Sequence, residues 1–486
     1  MTDSRNTVPA GTAPATTGAA TGATAPPVAL VGDGLMVQCA DGTERPYLSL
    51  DTAASTAALP AVLARVEEFL PWYSSVHRGA GHKSQVATGA YEDARAAALA
   101  FAGRAARSAA PDGDVAIICR NTTEAVNHLA YRLRLAPGEV VVTTVAEHHA
   151  NLLPWSRAAA CRYVECGRDG TFGADDVTAA LDQRPAPRLL AITGASNITG
   201  WMPPLEQIIE AAHDRGIPVI VDAAQLAPHR PLPAGPDFLA WSGHKMYAPF
   251  GSGVLAGPAG AFAEGDPFLA GGGAVDLVDL DEVLWTGPPE REEAGSPNVV
   301  GAVALHAAID TLTAIGWPAL IEHEQRIARS LRAGLASIPG VRLLGPGPQV
   351  ETLPVATFTV EGVPHALVAA RLAAEEAIGV RHGCFCAHPY LMRLLGLGRE
   401  EVSRYRDEVR RGDRSAMPGA VRASAGLGTG QGDIERLLGA VARIARGDPP
   451  PVPYRQDRRT GDFHPCRDIA GLTDQPGTHA APCSPG

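Results

Sequence analysis

The sequence predicts an α/β protein with a large domain built on a mostly parallel sheet and a smaller α+β domain. Between about residues 76 and 301, short apolar runs alternate with stretches of helical spacing, as in strands joined by crossover helices. From about residue 301 the pattern changes to long helices. The length of 486 residues suffices for a large core divided between two domains.

The elements follow from apolar runs and helical spacing. In the large domain the predicted strands are 115–119, 139–144, 189–193, 219–221, 238–241 and 253–256, with helices at 123–133 and 204–214. In the second domain the predicted helices are 302–315, 320–338, 367–378 and 431–445, with strands at 341–344 and 355–360.

Composition sets the ends of these domains. Residues 1–28 are Thr/Ala/Gly/Pro-rich and are expected to be a disordered leader, and residues 447–486 a disordered tail, because neither offers much apolar surface to bury. The small domain is then 29–75 together with 302–446, and the large domain is 76–301.

Charge and composition exclude several classes of function. A net charge of -11 without a basic block argues against nucleic acid as a partner, and no apolar run is long enough to cross a membrane. The N-terminal residues lack the apolar core of a secretory signal. The eight cysteines are scattered and do not resemble a disulfide framework, so we expect a reducing cytoplasm.

The segment Ser242-Gly243-His244-Lys245 is the most informative feature of the chain. It lies about 20 residues after a predicted buried strand that ends at Asp222. A lysine at the mouth of an α/β sheet can form a Schiff base with an aldehyde cofactor, and a carboxylate one strand away can hold a pyridinium nitrogen. The pair therefore predicts pyridoxal 5'-phosphate (PLP) as cofactor and an enzymatic function.

Further polar residues follow the carboxyl ends of the predicted strands, where open α/β sheets bind their ligands. At residues 122 and 123 a helix begins, so its N–H groups and the threonine hydroxyls can bind a phosphate. The full set is Thr122, Thr123, His148, Asn197, Asp222, Ser242, His244 and Lys245.

The chain resembles the class V, fold-type I PLP-dependent aminotransferase superfamily, and most closely its cysteine desulfurase and selenocysteine lyase group. The resemblance runs in order over roughly residues 47–445 and implies a seven-stranded-type sheet in the large domain. The motifs that carry it are V-H-R-G (76–79), R-N-T-T-E-A-V-N (120–127), E-H-H-A-N-L-L-P-W (147–155), S-N-I-T-G (196–200), V-D-A-A-Q (221–225), S-G-H-K (242–245), E-A-G-S-P-N (293–298), R-H-G-C-F-C-A-H-P (381–389) and V-R-A-S (421–424).

The resemblance implies a role for each matched residue. Lys245 would form the Schiff base and move the Cα proton, Asp222 would pair with the pyridine nitrogen, and His148 would stack on the ring. The remaining cofactor contacts would come from Thr122, Thr123, Asn197, Gln225, Ser242, His244 and Ser296, the last across a dimer interface. The substrate contacts would come from Arg422, Arg381, Asn197 and His77. A planar guanidinium suits a bidentate carboxylate.

Cys386 aligns with the nucleophile of the desulfurases. The resemblance implies that its thiolate attacks the sulfur of L-cysteine or a close analogue, which leaves a persulfide on the enzyme and releases alanine. It also implies a homodimer and an acceptor protein for the sulfur. The sequence departs from the pattern at Cys384, in a charged insert around 398–415 and after residue 424. These departures leave open how Cys386 is presented, whether Cys384 or Cys386 reacts, and which acceptor takes the sulfur.

Other interpretations stay open at this point. The same PLP scaffold hosts aminotransferases, β-eliminating C–S lyases and epimerases of specialised metabolism, and a non-enzymatic scaffold with a vestigial site is a third possibility. Cys384 and Cys386 can instead form a regulatory disulfide or be inert small apolar residues. They predict no metal site, because the donors around them are too crowded for tetrahedral geometry. The charged insert is interpreted as a solvated helix.

Overall fold

A computed structural model describes residues 26–105 and 113–466. Residues 1–25 of the predicted leader and residues 467–486 of the predicted tail therefore lie outside the described residues. The helices are α1 Pro60–Phe69, α2 His82–Phe101, α3 Thr122–Arg132, α4 Leu153–Ala158, α5 Ala174–Leu181, α6 Leu205–His213, α7 Val299–Ile315, α8 Trp317–Ser337, α9 His365–Glu376, α10 His388–Leu395, α11 Arg399–Arg410 and α12 Gln431–Ala445.

Short strands alternate with these helices in the first two thirds of the chain. The strands are β1 Met36–Gln38, β2 Glu44–Pro46, β3 Leu48–Ser49, β4 Asp114–Cys119, β5 Val140–Thr144, β6 Ala160–Val164, β7 Pro187–Thr193, β8 Val219–Asp222, β9 Phe238–Ser242, β10 Gly253–Pro258, β11 Val275–Val278, β12 Val283–Trp285, β13 Val341–Leu344, β14 Val355–Val360, β15 Ile378–Gly379, β16 Arg381–Gly383, β17 Ala420–Ser424, β18 Tyr454–Gln456 and β19 Phe463–Pro465.

The large sheet has seven strands in the order β4-β10-β9-β8-β7-β5-β6. All neighbours are parallel except β10, which runs antiparallel to both β4 and β9. The predicted fold, an α/β protein with a large mostly parallel sheet, is confirmed. Both faces of the sheet are buried: Leu190 and Ile192 pack into one core, and Leu189 and Ala191 into the other. This explains why the strands read as continuous apolar runs.

A second, four-stranded antiparallel sheet has the order β13-β14-β17-β16. It shares an apolar core with α8, α9 and α12, in which Phe358, Leu331, Leu372 and Leu437 are fully buried. This sheet carries the chain into the Cys386 loop at the end of β16. The helices and strands expected for an α+β unit are present, and the predicted domain boundaries stay predictions.

The prediction of an unstructured tail is wrong for residues 447–466. Strands β18 and β19 pair as an antiparallel hairpin. The hairpin holds to the rest of the chain because Val452 is buried against Ala374, and because the Gln456 amide donates to the Ser415 carbonyl at 2.9 Å. Helix α12 ends at Ala445, before the proline-rich run 449–453, and the segment after that run returns to the surface of α9.

Within the ranges that the structure describes, no single helix has both the length and the apolar character to cross a membrane. The pair α7 and α8 has them jointly, with a bend of 84° between the two helices.

Candidate active site

The carboxyl ends of β5, β7, β8 and β9 meet the start of α3 and the Cys386 loop around one cavity of about 450 Å³. Twelve of the fourteen residues predicted for the site line it, a convergence that links chain segments up to 300 residues apart. They are Thr122, Thr123, His148, Asn197, Asp222, Gln225, Ser242, His244, Lys245, Arg381, Cys386 and Arg422.

The start of α3 forms one end of the cavity. Asn121 caps the helix by accepting the Glu124 N–H at 3.0 Å, and the Thr122 N–H donates to the Ser242 hydroxyl at 2.8 Å. Gly253 in β10 allows this close approach, since a Cβ there would lie 2.6 Å from the Asn121 Cα. The aligned backbone dipoles at a helix start favour an anion. This end of the cavity is therefore suited to a phosphate.

Two histidines of the cavity are held neutral. Burial, helped by the charge of Lys245, lowers the pKa of His148 to about 3 and that of His244 to about 4. The Nδ1 atom of His148 accepts the Ala150 N–H at 3.1 Å, so the ring proton sits on Nε2. The neutral His148 ring, with its proton on Nε2, can stack on a planar ligand.

Asp222 and Lys245 form the central pair. Asp222 ends β8, is 4% exposed and accepts the Ala224 N–H at 3.0 Å through one oxygen. Burial raises the pKa of Asp222, opposed by that hydrogen bond and by the positive charge of Lys245. Burial lowers the pKa of Lys245 to about 8, opposed by the negative charge of Asp222. A substantial fraction of the lysine is therefore neutral and nucleophilic near neutral pH.

Gln225, which lines the cavity, and Glu147 are two further buried polar residues. The Gln225 amide donates to the Ala53 carbonyl at 2.7 Å. Glu147 is fully buried, and its carboxyl accepts from the Thr144 hydroxyl and the Asn151 amide at 2.7 Å each and from the Thr193 N–H at 3.0 Å. Burial raises the pKa of Glu147 to about 8 against these three donors. Glu147 thus links the ends of β5 and β7.

Arg422 in β17 is 3% exposed and lies at the mouth of the cavity. Its guanidinium donates to the Asn197 carbonyl at 2.9 Å and to Asp51 at 2.8 Å, while Arg381 donates to the other oxygen of Asp51 at 3.1 Å. The Nε atom of Arg422 is buried and has no partner among the described residues. A buried guanidinium with an unpartnered N–H is suited to accept a carboxylate.

Cys384 and Cys386 differ in exposure. Cys386 is exposed and lines the cavity, whereas Cys384 is 9% exposed and its thiol contacts the Pro418 carbonyl at 3.2 Å. Burial raises the pKa of Cys384 to about 11, so it stays a thiol. Both thiols are free in this structure. The geometry favours Cys386 over Cys384 as a nucleophile.

Two predicted residues do not reach the cavity within one chain. His77 lies at the surface and pairs with Glu92 at 2.9 Å, and Ser296 is absent from the cavity lining. A contact of either with a ligand there would need a second copy of the chain. His77, Glu92 and Glu290 form the one group of metal-type ligands found in the described ranges, but Arg95 bonds both carboxylates at 2.9 and 2.8 Å.

Three residues of the site were missed by sequence reasoning. Asp51 and Phe385 contact Arg422, and Glu147 accepts from the N–H of Thr193, which lines the cavity. Glu147 and Phe385 stand within two of the matched motifs but were given no role, and Asp51 carries no local signal. Asp51 and Arg422 are 371 residues apart, so only the folded chain shows the pair. The charged insert does form a solvated helix, α11, with no buried residue.

Comparisons with known proteins agree with this geometry. The profile of the family described as Aminotransferase class-V matches residues 48–437. The chain belongs to the class-V aminotransferase family. A protein named cysteine desulfurase from Dickeya dadantii (strain 3937) is 35% identical over 415 residues, which cover 83% of this chain and 93% of that relative.

Two solved structures extend the similarity to three dimensions. The apo structure of a cysteine desulfurase from Thermococcus onnurineus NA1 has a TM-score of 0.73 at 30% identity, and covers 82% of this chain and 95% of its own. The cysteine desulfurase CsdA (S-sulfonic acid) from Escherichia coli has a TM-score of 0.69 with the same identity and coverage. This class-V chain is therefore an enzyme of the cysteine desulfurase group.

Proposed function

We propose that this enzyme uses PLP to cleave the C–S bond of L-cysteine or a close analogue, yielding alanine and a persulfide on Cys386. The observation that carries the proposal is that an exposed thiol, a lysine of lowered pKa and a buried arginine share one cavity. Each of these groups has a separate task in removing sulfur from an amino acid.

The donor set of the cavity fits PLP. The start of α3 with Thr122, Thr123, Ser242 and His244 would hold the phosphate, and Asp222 would hold the pyridine nitrogen at the other end. His148 would cover one face of the ring. When bound, the cofactor supplies an electron sink that weakens bonds around the substrate Cα.

Lys245 is proposed to move the proton at the substrate Cα. A general base works best when its pKa lies close to the operating pH, and the pKa of the Lys245 amine is about 8. Asp222 opposes the effect of burial on that pKa, so the same carboxylate would serve both the cofactor and the base.

Arg422 is proposed to bind the substrate carboxylate through its unpartnered Nε and the adjacent Nη2. Arg381 adds a second positive charge close by. A carboxylate held there brings the rest of the amino acid between Lys245 and Cys386, because all three residues line the same cavity.

The Cys386 sulfur is proposed to attack the substrate sulfur. An S–S bond forms and the C–S bond breaks, the electron pair stays on the former Cβ, and that carbon takes up a proton. The overall change, L-cysteine plus enzyme thiol to alanine plus enzyme persulfide, balances without an external oxidant. The sulfur would then pass to a thiol acceptor, which reaches Cys386 because this residue is exposed.

Replacing Cys386 by serine tests the function. We expect alanine formation from L-cysteine to fall at least about a hundredfold, because the hydroxyl cannot accept the sulfur. The matched control is Cys384→Ser, which should keep most of the activity, since Cys384 is buried. Unchanged alanine release by Cys386→Ser would contradict the proposal. Pyruvate and ammonia as products would instead indicate a β-eliminating lyase.

A homodimer in the cytoplasm is proposed as the working form. The hairpin β11–β12 exposes apolar side chains, of which Leu277, Leu280 and Leu284 are 61%, 101% and 47% exposed. The Gly295 N–H donates to Gly272 at 2.7 Å, so the segment that carries Ser296 adjoins the start of this hairpin. Exposed apolar patches of this kind mark interfaces. A second copy covering the hairpin would bring Ser296 towards the partner's cavity.

A further inference from the structure

The turn that carries Cys386 has an unfavourable backbone. Phe385 and Cys386 follow each other with φ of +53° and +54°, in the left-handed region that side chains with a Cβ rarely adopt. The Ala387 N–H donates to the Cys384 carbonyl at 2.9 Å and closes the turn. Two such residues in succession persist only where the surroundings hold them.

Contacts from three other segments hold this turn. The Asn197 amide donates to the Phe385 carbonyl at 2.7 Å, and the His149 backbone N–H donates to the Cys386 carbonyl at 2.8 Å. The Phe385 ring is 8% exposed and lies 5.1 Å from the guanidinium carbon of Arg422. A cation over an aromatic ring at this distance is attractive, and more so when both groups are buried.

Arg422, Asn197 and Phe385 contact each other in pairs. The guanidinium of Arg422 donates to the Asn197 carbonyl at 2.9 Å, and the same asparagine donates to Phe385. The guanidinium also covers the Phe385 ring. The arginine therefore cannot turn without disturbing the ring or the asparagine, and both of these hold the backbone next to Cys386.

We propose that Phe385 is a positioning residue that couples carboxylate binding at Arg422 to the placement of the Cys386 thiol. The inference rests on the proposed function, in which Arg422 binds the substrate and Cys386 is the nucleophile. A carboxylate that fixes the plane of the guanidinium fixes the ring beneath it and hence the strained turn. The thiol is thereby set for attack when the amino acid is in place.

Hydrogen–deuterium exchange of the holoenzyme tests the coupling without measuring activity. The amide of Ala387 and that of His149 report on the turn, because each bonds one of its carbonyls. We expect saturating L-alanine, the proposed product, to slow exchange of these amides about tenfold in the native protein. In Phe385→Leu the slowing should fall below about twofold, and Phe385→Tyr, which keeps the ring, should restore it.

Steady-state kinetics supply the second measurement. We expect Phe385→Leu to lower kcat about tenfold or more while KM changes less than about twofold, because binding is retained and the thiol is misplaced. Arg422→Lys keeps the charge and loses the planar group that covers the ring. The double variant Phe385→Leu/Arg422→Lys tests whether the two residues act together. If Phe385 acts through Arg422, amide exchange at the turn should be no faster in the double variant than in the faster of the two single variants.

Exchange of the β7 peptide is the control for folding, since every residue of that strand except Arg188 is buried. Equal slowing by L-alanine in the native protein and in Phe385→Leu would overturn the coupling, and so would additive effects of the two substitutions. These outcomes are separate from the proposed function. Loss of turnover in Cys386→Ser can stand while the coupling fails, and a ligand response of the turn can stand if Cys386→Ser stays active.

Discussion

Replacing Asp222 by asparagine should make Lys245 more reactive at neutral pH. Burial lowers the pKa of the lysine to about 8, and the negative charge of Asp222 limits that decrease. At pH 7 about one lysine in ten is neutral, against about one in 3,000 for an ordinary lysine. Without Asp222 the pKa falls further, so the neutral fraction at pH 7 rises towards one, a gain of at most about tenfold.

The assay is reductive methylation of the cofactor-free protein over a range of pH, with each site quantified by mass spectrometry. The sequence contains two lysines, so the exposed Lys83 in α2 is an internal reference for Lys245. The methylation rate of Lys245 relative to that of Lys83 should begin to rise at a lower pH in Asp222→Asn than in the native protein. Asp175→Asn, an exposed change in α5, is the matched control. A pH profile of Lys245 unchanged by the loss of Asp222 would refute the reasoning.

Two further predictions concern stability and assembly. Glu147→Gln should lower the free energy of unfolding, measured by urea titration, by about 1–3 kcal/mol, because the new amide faces the Asn151 amide and leaves a donor unpaired. The control Glu400→Gln, at an exposed position, should change it little. Folded Glu147 keeps a proton that the unfolded chain releases, so its contribution to stability falls as pH rises from about 4.5 to 8, and the difference in stability between the native protein and Glu147→Gln should shrink over that range. Leu280→Asp should shift the mass measured by light scattering from dimer towards monomer, because it places a charge on the exposed hairpin β11–β12. A mass that stays that of a dimer at low protein concentration would argue against an interface at this hairpin.

The sequence predicted the large sheet well because its strands are buried on both faces. Each of the six predicted strands lies within two residues of an observed one, as 189–193 does within β7. The edge strand β6 was missed because Cys161, Arg162 and Tyr163 are partly or fully exposed and break the apolar run. Strands β16 and β17 were missed because their short motifs were assigned only to substrate binding and catalysis. Their pairing also depends on β14, which is distant in sequence.

The candidate site was predictable where its residues follow strands in the same sheet. Asp222, His148 and Lys245 share an edge of the sheet, so strand ends alone bring them together. The conformation of the Cys386 turn could not be predicted, because two left-handed residues that are not glycine conflict with local preference. Contacts with Asn197 and Arg422, distant in sequence, decide it.

The ion pairs of Asp51 have a consequence for what can enter the cavity. The Asp51 carboxylate forms an ion pair with both Arg422 and Arg381, so it competes with chloride, phosphate or a small organic acid for these two cations. An anion with nothing else to offer must compete with a side chain already tethered in the protein, at a large disadvantage in effective concentration. An amino acid whose carboxylate binds Arg422 also places its amine near Lys245, and this second interaction adds to its affinity. The ion pairs of Asp51 thereby favour an amino acid over a simple anion at this position.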